Sequence, residues 1–308
     1  MSFLLQEQVM FELLFDDDFR AEYKLDATSA LSLYGLTPSE IDDFLPLRLD
    51  ALALEADVRK RMILSQICTQ APLSFAWLSS FDNGFDILKG LLSPFVVRAP
   101  TSERGALLLQ QLLYAMDDLS FFNAADKDLT KYIFQLELCF CKQLELRHID
   151  QFSRGIQMNH ESAQNNTLDE TVPLRLAPLL GVNFLPLSYW DIKQSLCVVD
   201  VDLLWRELQN NPILVEQRVN LFSSVSDSTG KCIVSLPKLL KASPTDPVVD
   251  LHIVEMIDGF LPLLNKINSY RSLSDILVLF ESAGANQTVI RQAQEGINIL
   301  YKEACILK

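Results

Sequence analysis

The chain has 308 residues, of which 49% are hydrophobic, and its formal net charge at pH 7 is -14. This length and composition are typical of an ordered globular protein with about two domains, and they exclude a disordered or fibrous chain. Because an excess of acids repels phosphate and no basic patch stands out, the charge argues against nucleic-acid binding.

The sequence also carries information on the cellular compartment. The amino terminus lacks the basic segment, apolar segment and cleavage site of a secretory signal, and no apolar run reaches the roughly 18 residues that span a bilayer. We therefore expect a cytoplasmic protein that does not bind a membrane. The cysteines lie among apolar neighbours, so we expect reduced core thiols and no metal site, including at the close Cys139 and Cys141 pair. They are Cys68, Cys139, Cys141, Cys197, Cys232 and Cys305.

Hydrophobic periodicity predicts that the chain begins with helices. The first covers residues 4–14 and is followed by three acids, Asp16–Asp18, which we interpret as a solvated turn. Asp26 is predicted to cap a second, short helix. That helix is predicted to end at Gly35, because glycine readily adopts the left-handed conformation that follows a helix.

A further helix start is marked by a capping box. Thr37 and Glu40 have the required spacing, Pro38 occupies the first helical position, and Pro46 is predicted to end the helix. Residues 1–150 are therefore predicted to form an all-α lobe. The other helices predicted for this lobe cover residues 48–68, 82–92, 104–118 and 127–146.

The second half is predicted to be a smaller α+β lobe. Residues 151–172 are polar and lack periodicity, which is typical of a linker, and the lobe itself covers 173–308. The overall fold class is therefore α+β. In this lobe we predict strands near 174–187, 213–226, 231–237 and 247–253, and helices at 201–209, 254–266, 273–281 and 288–302.

The carboxy-terminal sequence resembles a known peptide-binding module. The segments "VVDLHIVEMIDGFLPLLNKINSYRSLSDILVLF" and "VIRQAQEGINILYKEACIL" resemble the winged-helix RiPP recognition element, where RiPPs are ribosomally synthesised peptides that are modified after translation. The resemblance covers residues 212–308. It implies a three-stranded sheet with three helices, in which a precursor peptide adds as a strand beside the third strand and packs against the last helix.

The resemblance places the peptide-binding residues in two groups. For each apolar residue the alternative is ordinary core packing, and for Arg291 it is a solvated helix charge. The strand edge would consist of Val248, Val249, Asp250 and Leu251, and the facing helix would contribute Ile290, Arg291, Gln294, Ile297 and Asn298.

Residues 15–42 resemble the amino-terminal region of the partner subunits of multinuclear non-heme iron dependent oxidases, including those of the methanobactin and 3-thiaglutamate pathways. The matching pattern is a Phe19 and Arg20 pair followed by "ALSLYGL", which contains Tyr34 and Leu36. The resemblance implies that these four residues contact the oxidase in a heterodimer. The iron would then belong to the oxidase, with no cofactor in this chain.

Together the two resemblances imply a non-catalytic subunit that presents the cysteine of a precursor peptide to the oxidase, for excision of the cysteine β-carbon in the 3-thiaglutamate type. The alternatives are a winged-helix transcriptional regulator and a purely structural scaffold. Seven acids and five bases between Pro247 and Lys308 argue against a DNA-binding surface. The chain lacks HExxH, GxSxG and a complete phosphate loop, which argues against an enzyme in its own right.

Overall fold

The structure is a computed structural model, and its amino-terminal half is helical. It describes residues 3–81, 84–117, 124–145, 168–196, 205, 230–241, 248–257, 259–267 and 270–307. The helices of the first half are α1 (Phe3–Phe15), α2 (Asp17–Leu25), α3 (Ala27–Ser32), α4 (Pro38–Phe44), α5 (Leu49–Cys68), α6 (Pro72–Ser79), α7 (Gly84–Gly90), α8 (Pro94–Arg98), α9 (Arg104–Ala115) and α10 (Ala124–Glu145).

The carboxy-terminal half is mixed, so the predicted α+β class is confirmed. Its strands are β1 (Pro173–Leu176), β2 (Gly181–Leu185), β3 (Lys231–Lys241), β4 (Val248–Ile257), β5 (Arg271–Ser272) and β6 (Ile306–Leu307). Its helices are α11 (Tyr189–Ser195), α12 (Phe260–Leu264), α13 (Leu273–Ser282) and α14 (Gln287–Lys302).

The helix ends of the first half follow the capping residues in the sequence. Asp26 caps α3 by accepting the N–H of Ser29 at 3.0 Å, and Gly35 has a φ of +70°. Thr37 and Glu40 form the predicted capping box at the start of α4. These predictions are confirmed because a cap depends on residues a few positions apart in the chain.

The acidic residues after α1 are a correction to the sequence interpretation. They begin a helix, α2, and are not a solvated turn. Asp16 is the cap, with its carboxylate accepting the N–H of Phe19 at 2.9 Å. Asp17 and Asp18 lie in the first turn, where negative charge interacts favourably with the helix dipole.

The predicted helix at 254–266 is wrong at its start. β4 continues to Ile257, and α12 covers only Phe260–Leu264. Val254 and Met256 pair with β3 and pack into the core from a strand, so tertiary packing outweighs the local pattern. Helices α6, α8 and α11 were also not predicted, and the strand predicted near 174–187 is divided into β1 and β2, which belong to different sheets. The predicted elements at 201–209 (except Trp205) and 213–226, and linker residues 151–167, lie outside the described residues.

Two small antiparallel sheets make up the β structure of the described residues. In the larger sheet the strand order is β2-β3-β4, with Asn183 opposite Ile233 and Leu236 opposite His252. In the smaller sheet the order is β5-β1-β6. The larger sheet is followed in the chain by α12, α13 and α14, with β5 between α12 and α13 and β6 after α14.

The larger sheet lies between two hydrophobic cores. Ile233 belongs to the helical core, and Leu251 and Ile253 pack against it. On the other face, Val234 and Met256 belong to the core that contains α12, α13 and α14. The two predicted lobes are therefore in contact through one sheet.

A buried polar contact joins the same two parts of the chain. Gln143 on α10 donates to the carbonyl oxygens of Leu179 and Ser235, at 2.6 and 3.1 Å, and accepts from the Ser235 hydroxyl at 2.8 Å. Buried polar groups satisfied in this way fix the position of the helix on the sheet.

The described cysteines are free thiols, and all except the half-buried Cys139 are buried. Burial raises the pKa of the Cys68 thiol to about 12, so this group is un-ionised at neutral pH. The prediction of core thiols is confirmed for the four buried cysteines, whereas Cys139 is half-buried and Cys197 lies outside the described residues. No helix in the described part of the chain combines the length and apolar character needed to cross a membrane.

Candidate functional site

The predicted peptide-binding strand lies at one side of the larger sheet. β4 has ten residues and pairs with β3 from Val248, opposite Lys241, to Ile257, opposite Lys231. None of the other residues that the structure describes pairs with its second side. An edge strand of this length presents a row of backbone donors and acceptors to which another chain can add.

The register identifies which backbone groups face outward. Leu251 lies opposite Pro237, which has no N–H to donate. The N–H of Leu251 instead donates to the Asp250 carboxylate at 2.8 Å. In an antiparallel ladder, two opposite residues either exchange two hydrogen bonds or direct their backbone N–H and C=O groups away from each other. The backbone of Leu251 therefore faces away from β3.

The alternation of the ladder extends this result along the strand. The register is unbroken from Val249 to Ile257, so every second residue shares the orientation of Leu251. The N–H and C=O groups of Val249, Leu251, Ile253, Glu255 and Ile257 accordingly face outward, whereas those of the intervening residues bond to β3. A peptide strand would bond to this outward-facing row.

The side chains along this edge are only partly covered. Leu251 and Ile253 are half-buried on the face towards the helical core, and Val254 is half-buried on the opposite face. Asp250 and Ile257 are exposed. Half-buried apolar side chains next to a sheet edge lose further contact with water when another strand covers them, which favours addition.

A charged cluster connects β3 and β4 to the end of α14. Glu303 Oε2 lies 3.2 Å from Lys238 Nζ and 2.5 Å from His252 Nε2. Burial, and then the Lys238 charge, lower the pKa of His252. Burial raises the pKa of Glu303, but its contacts with Lys238 and His252 outweigh this effect and the pKa is lowered overall. At neutral pH the Lys238 and Glu303 ion pair therefore holds the helix end against the sheet.

The predicted residues of the facing helix are divided between core and surface. Ile290 and Ile297 are buried, and Ile297 belongs to the carboxy-terminal core. Arg291 is exposed and pairs with Glu295 at 2.9 Å. Both isoleucines are buried because they belong to the apolar face of α14, which packs against neighbouring elements.

Gln294 and Asn298 are the other two predicted residues of the facing helix. Gln294 Nε2 donates to Glu170 Oε1 at 3.0 Å, which places it beside the segment before β1, and Asn298 is half-buried. At the end of α14, Glu303 contacts His252 of β4. The sequence did not indicate this contact, because it joins an acid and a histidine 51 positions apart.

The residues predicted to contact the oxidase build the packing of the first helices. Phe19 and Leu36 are buried, and Tyr34 packs edge-on against Phe19 with ring centroids 5.2 Å apart. Arg20 forms an ion pair with Asp17 and donates to the carbonyl oxygens of Leu13 and Leu14 at 2.9 and 2.8 Å. These four residues therefore hold the first helices together. A contact with the oxidase would also involve neighbouring exposed residues.

An apolar groove between α1 and α5 is the accessible surface that sequence reasoning missed. On α5, Leu54, Val58 and Met62 are 69%, 47% and 63% exposed. Val58 and Met62 line a cavity of about 600 Å³ together with Met10 and Phe11 of α1. Apolar periodicity contributes to the predicted helix at 48–68 but does not show that these α5 residues are exposed. We call this feature the α1–α5 groove.

Comparison with known proteins adds no relative. No family model, no curated protein and no solved structure matches the chain significantly. Within the described ranges, no group of three or more His, Cys, Asp or Glu residues is arranged to hold a metal ion. The features that bear on function are therefore the geometry of β4 and the resemblances in the sequence.

Proposed function

We propose that this chain is a non-catalytic subunit that binds a ribosomal precursor peptide by strand addition along β4. It presents a cysteine of that peptide to a multinuclear non-heme iron dependent oxidase, which holds the iron. The favoured reaction is excision of the cysteine β-carbon, as in 3-thiaglutamate-type biosynthesis. In this proposal the carboxy-terminal part is a winged-helix-like RiPP recognition element.

The outward-facing backbone of β4 is the observation that supports peptide binding. The missing N–H of Pro237 and the bond from Leu251 to Asp250 together fix the orientation of this row. Strand addition uses backbone groups for affinity and side-chain contacts for selectivity. Half-buried Leu251 and Ile253 supply apolar contacts for alternate side chains of the peptide.

The α1–α5 groove supports the choice of the amino-terminal helices as the surface that docks on the oxidase. It is formed by α1 and α5, the helices that flank residues 15–42, the segment that resembles the oxidase partners. Its apolar side chains include Met10, Met62 and Phe11, residue types that are enriched in protein interfaces. The charge of Arg59 at its rim is neutralised by Glu55 at 2.6 Å, so an apolar partner surface can cover it without leaving that cation unpaired.

A single substitution tests strand addition. Val249→Pro removes an N–H that faces outward, so β4 keeps its bonds to β3 while the peptide loses a donor and meets the proline ring. Affinity for a fluorescein-labelled candidate precursor is expected to fall by roughly five- to tenfold, the equivalent of one hydrogen bond. Fluorescence anisotropy measures it, with far-ultraviolet circular dichroism to confirm the fold.

Val249→Ala is the matched control, because it shortens the side chain and keeps the N–H. Equal loss of affinity in both variants would contradict a backbone contact at this position.

The same labelled peptide is titrated against the oxidase alone and against the co-purified complex. Equal binding in both would overturn peptide recruitment by this chain and leave a structural scaffold. A duplex DNA ligand whose affinity falls steeply with salt would instead indicate a regulator.

A further inference from the structure

One outward-facing donor of β4 is already occupied. The N–H of Leu251 donates to Oδ1 of Asp250 at 2.8 Å. In strand addition, a carbonyl oxygen of the incoming peptide would take this N–H. The Asp250 carboxylate must then move away and lose the hydrogen bond.

The other acids near β4 that the structure describes already have partners. Glu255 accepts from the Ser188 hydroxyl at 3.0 Å and from the Tyr189 N–H at 2.8 Å. Glu303 is paired with Lys238. Asp250 is exposed, and among the residues that the structure describes none forms an ion pair with it.

The position of Asp250 in the ladder determines what could pair with it after displacement. On one side its neighbour is Lys238 of β3, which is directly opposite and bonds to Glu303 at 3.2 Å. On the other side lies the position of the added strand. Side chains directly opposite each other in neighbouring strands share a face, with Cβ atoms about 5 Å apart.

We propose that Asp250 is a specificity residue that selects an extended peptide with a lysine or arginine directly opposite it. The inference rests on the proposed function, because it requires strand addition at β4. In the free protein the carboxylate covers the Leu251 N–H. In the complex the peptide carbonyl takes this N–H, and the basic side chain pairs with the released carboxylate. A peptide with an acid at that position meets repulsion instead.

A random peptide library tests this inference and does not require the natural peptide. Displayed peptides of about twelve residues, slightly longer than β4, are selected on the full-length protein and on the Asp250→Lys variant. The wild-type protein is expected to enrich lysine or arginine at one position, and the variant aspartate or glutamate at the same position. For one selected peptide, Asp250→Asn should weaken binding by about threefold.

Asp43→Lys on α4 makes the same change of net charge at an exposed position away from β4 and should keep the wild-type preference. If Asp250→Lys selects the same residues as the wild-type protein while Val249→Pro weakens binding as expected, the role of Asp250 is overturned and strand addition stands. If the selected peptides bind Val249→Pro unchanged, or if no peptide is enriched, strand addition itself is overturned.

Discussion

At the scale of single residues, Glu137 shows how a buried carboxyl group can replace a missing cap. Helix α6 begins after Ala71, which has no side-chain cap. Glu137 of α10 accepts the N–H groups of Leu73 and Ser74 at 2.8 and 2.7 Å. Burial raises the pKa of Glu137 to about 7 although these bonds oppose the shift. The cap therefore joins two helices across the core.

This raised pKa makes the stability contribution of Glu137 depend on pH. The pKa in the folded state lies above the unfolded value of 4.5, so the contribution is complete below that value and is lost as pH rises through about 7. The free energy of unfolding of the wild type relative to Glu137→Gln should fall between pH 5 and 8, by an amount on the order of 2 kcal/mol.

Urea unfolding at several pH values measures this difference, and Glu22→Gln, at an exposed acid of α2, is the control. A difference that stays constant with pH would show that the raised pKa of Glu137 is not a property of the folded protein.

Gly296 is a second residue whose role depends on one contact. A Cβ at this position would overlap the ring of Phe260, so α14 can approach α12 only with glycine there. Gly296→Ala should destabilise the protein by about 1–3 kcal/mol through overpacking, despite the better helix propensity of alanine. The change in the midpoint of urea unfolding measures this.

Phe260→Leu provides the matched test, because a smaller side chain makes space for the alanine. The double variant should recover part of the stability that Gly296→Ala loses. Additive losses in the double variant would mean that the contact with Phe260 is not the cause.

At the scale of elements, the same apolar pattern has different outcomes in different helices. The stripe of α14 packs into the core, and Ile297 is fully buried. The apolar positions of α5 are divided: Leu64 and Ile67 are buried, whereas Val58 and Met62 line the α1–α5 groove. Periodicity therefore predicts that a helix has an apolar face but not whether this chain or another one covers it.

Met62→Glu tests whether the α1–α5 groove docks on the oxidase. The new carboxylate would lose its hydration against an apolar partner surface, so co-purification with the oxidase should be lost and affinity reduced by at least about tenfold. Peptide binding to this chain alone should be retained, since β4 is unchanged. Size-exclusion chromatography and titration of the two subunits measure the effect.

Tyr114→Glu is the control for this experiment, because Tyr114 is 86% exposed on α9 and lies outside the α1–α5 groove. Intact complex formation by Met62→Glu would place the oxidase contact elsewhere on the surface.

At the scale of the whole molecule, the sheet β2-β3-β4 connects the two cores. Each face of β3 contributes to a different core, with Ile233 on one and Val234 on the other. A peptide that adds to β4 would extend this shared sheet, so its position would be fixed relative to both halves of the protein. Such an arrangement suits a subunit that holds a peptide while its helical part contacts an enzyme.

The sequence by itself determined the α+β class, most helix positions and the caps at Asp26 and Thr37, because these depend on neighbours within a few residues. It also located β4, with an error where Val254 continues the strand. Tertiary structure alone decided which groups of β4 face outward, because Pro237 and Leu251 meet only through strand pairing. It also placed Ile297 inside the core and Met62 at the surface, since burial depends on what packs against a residue from distant parts of the chain.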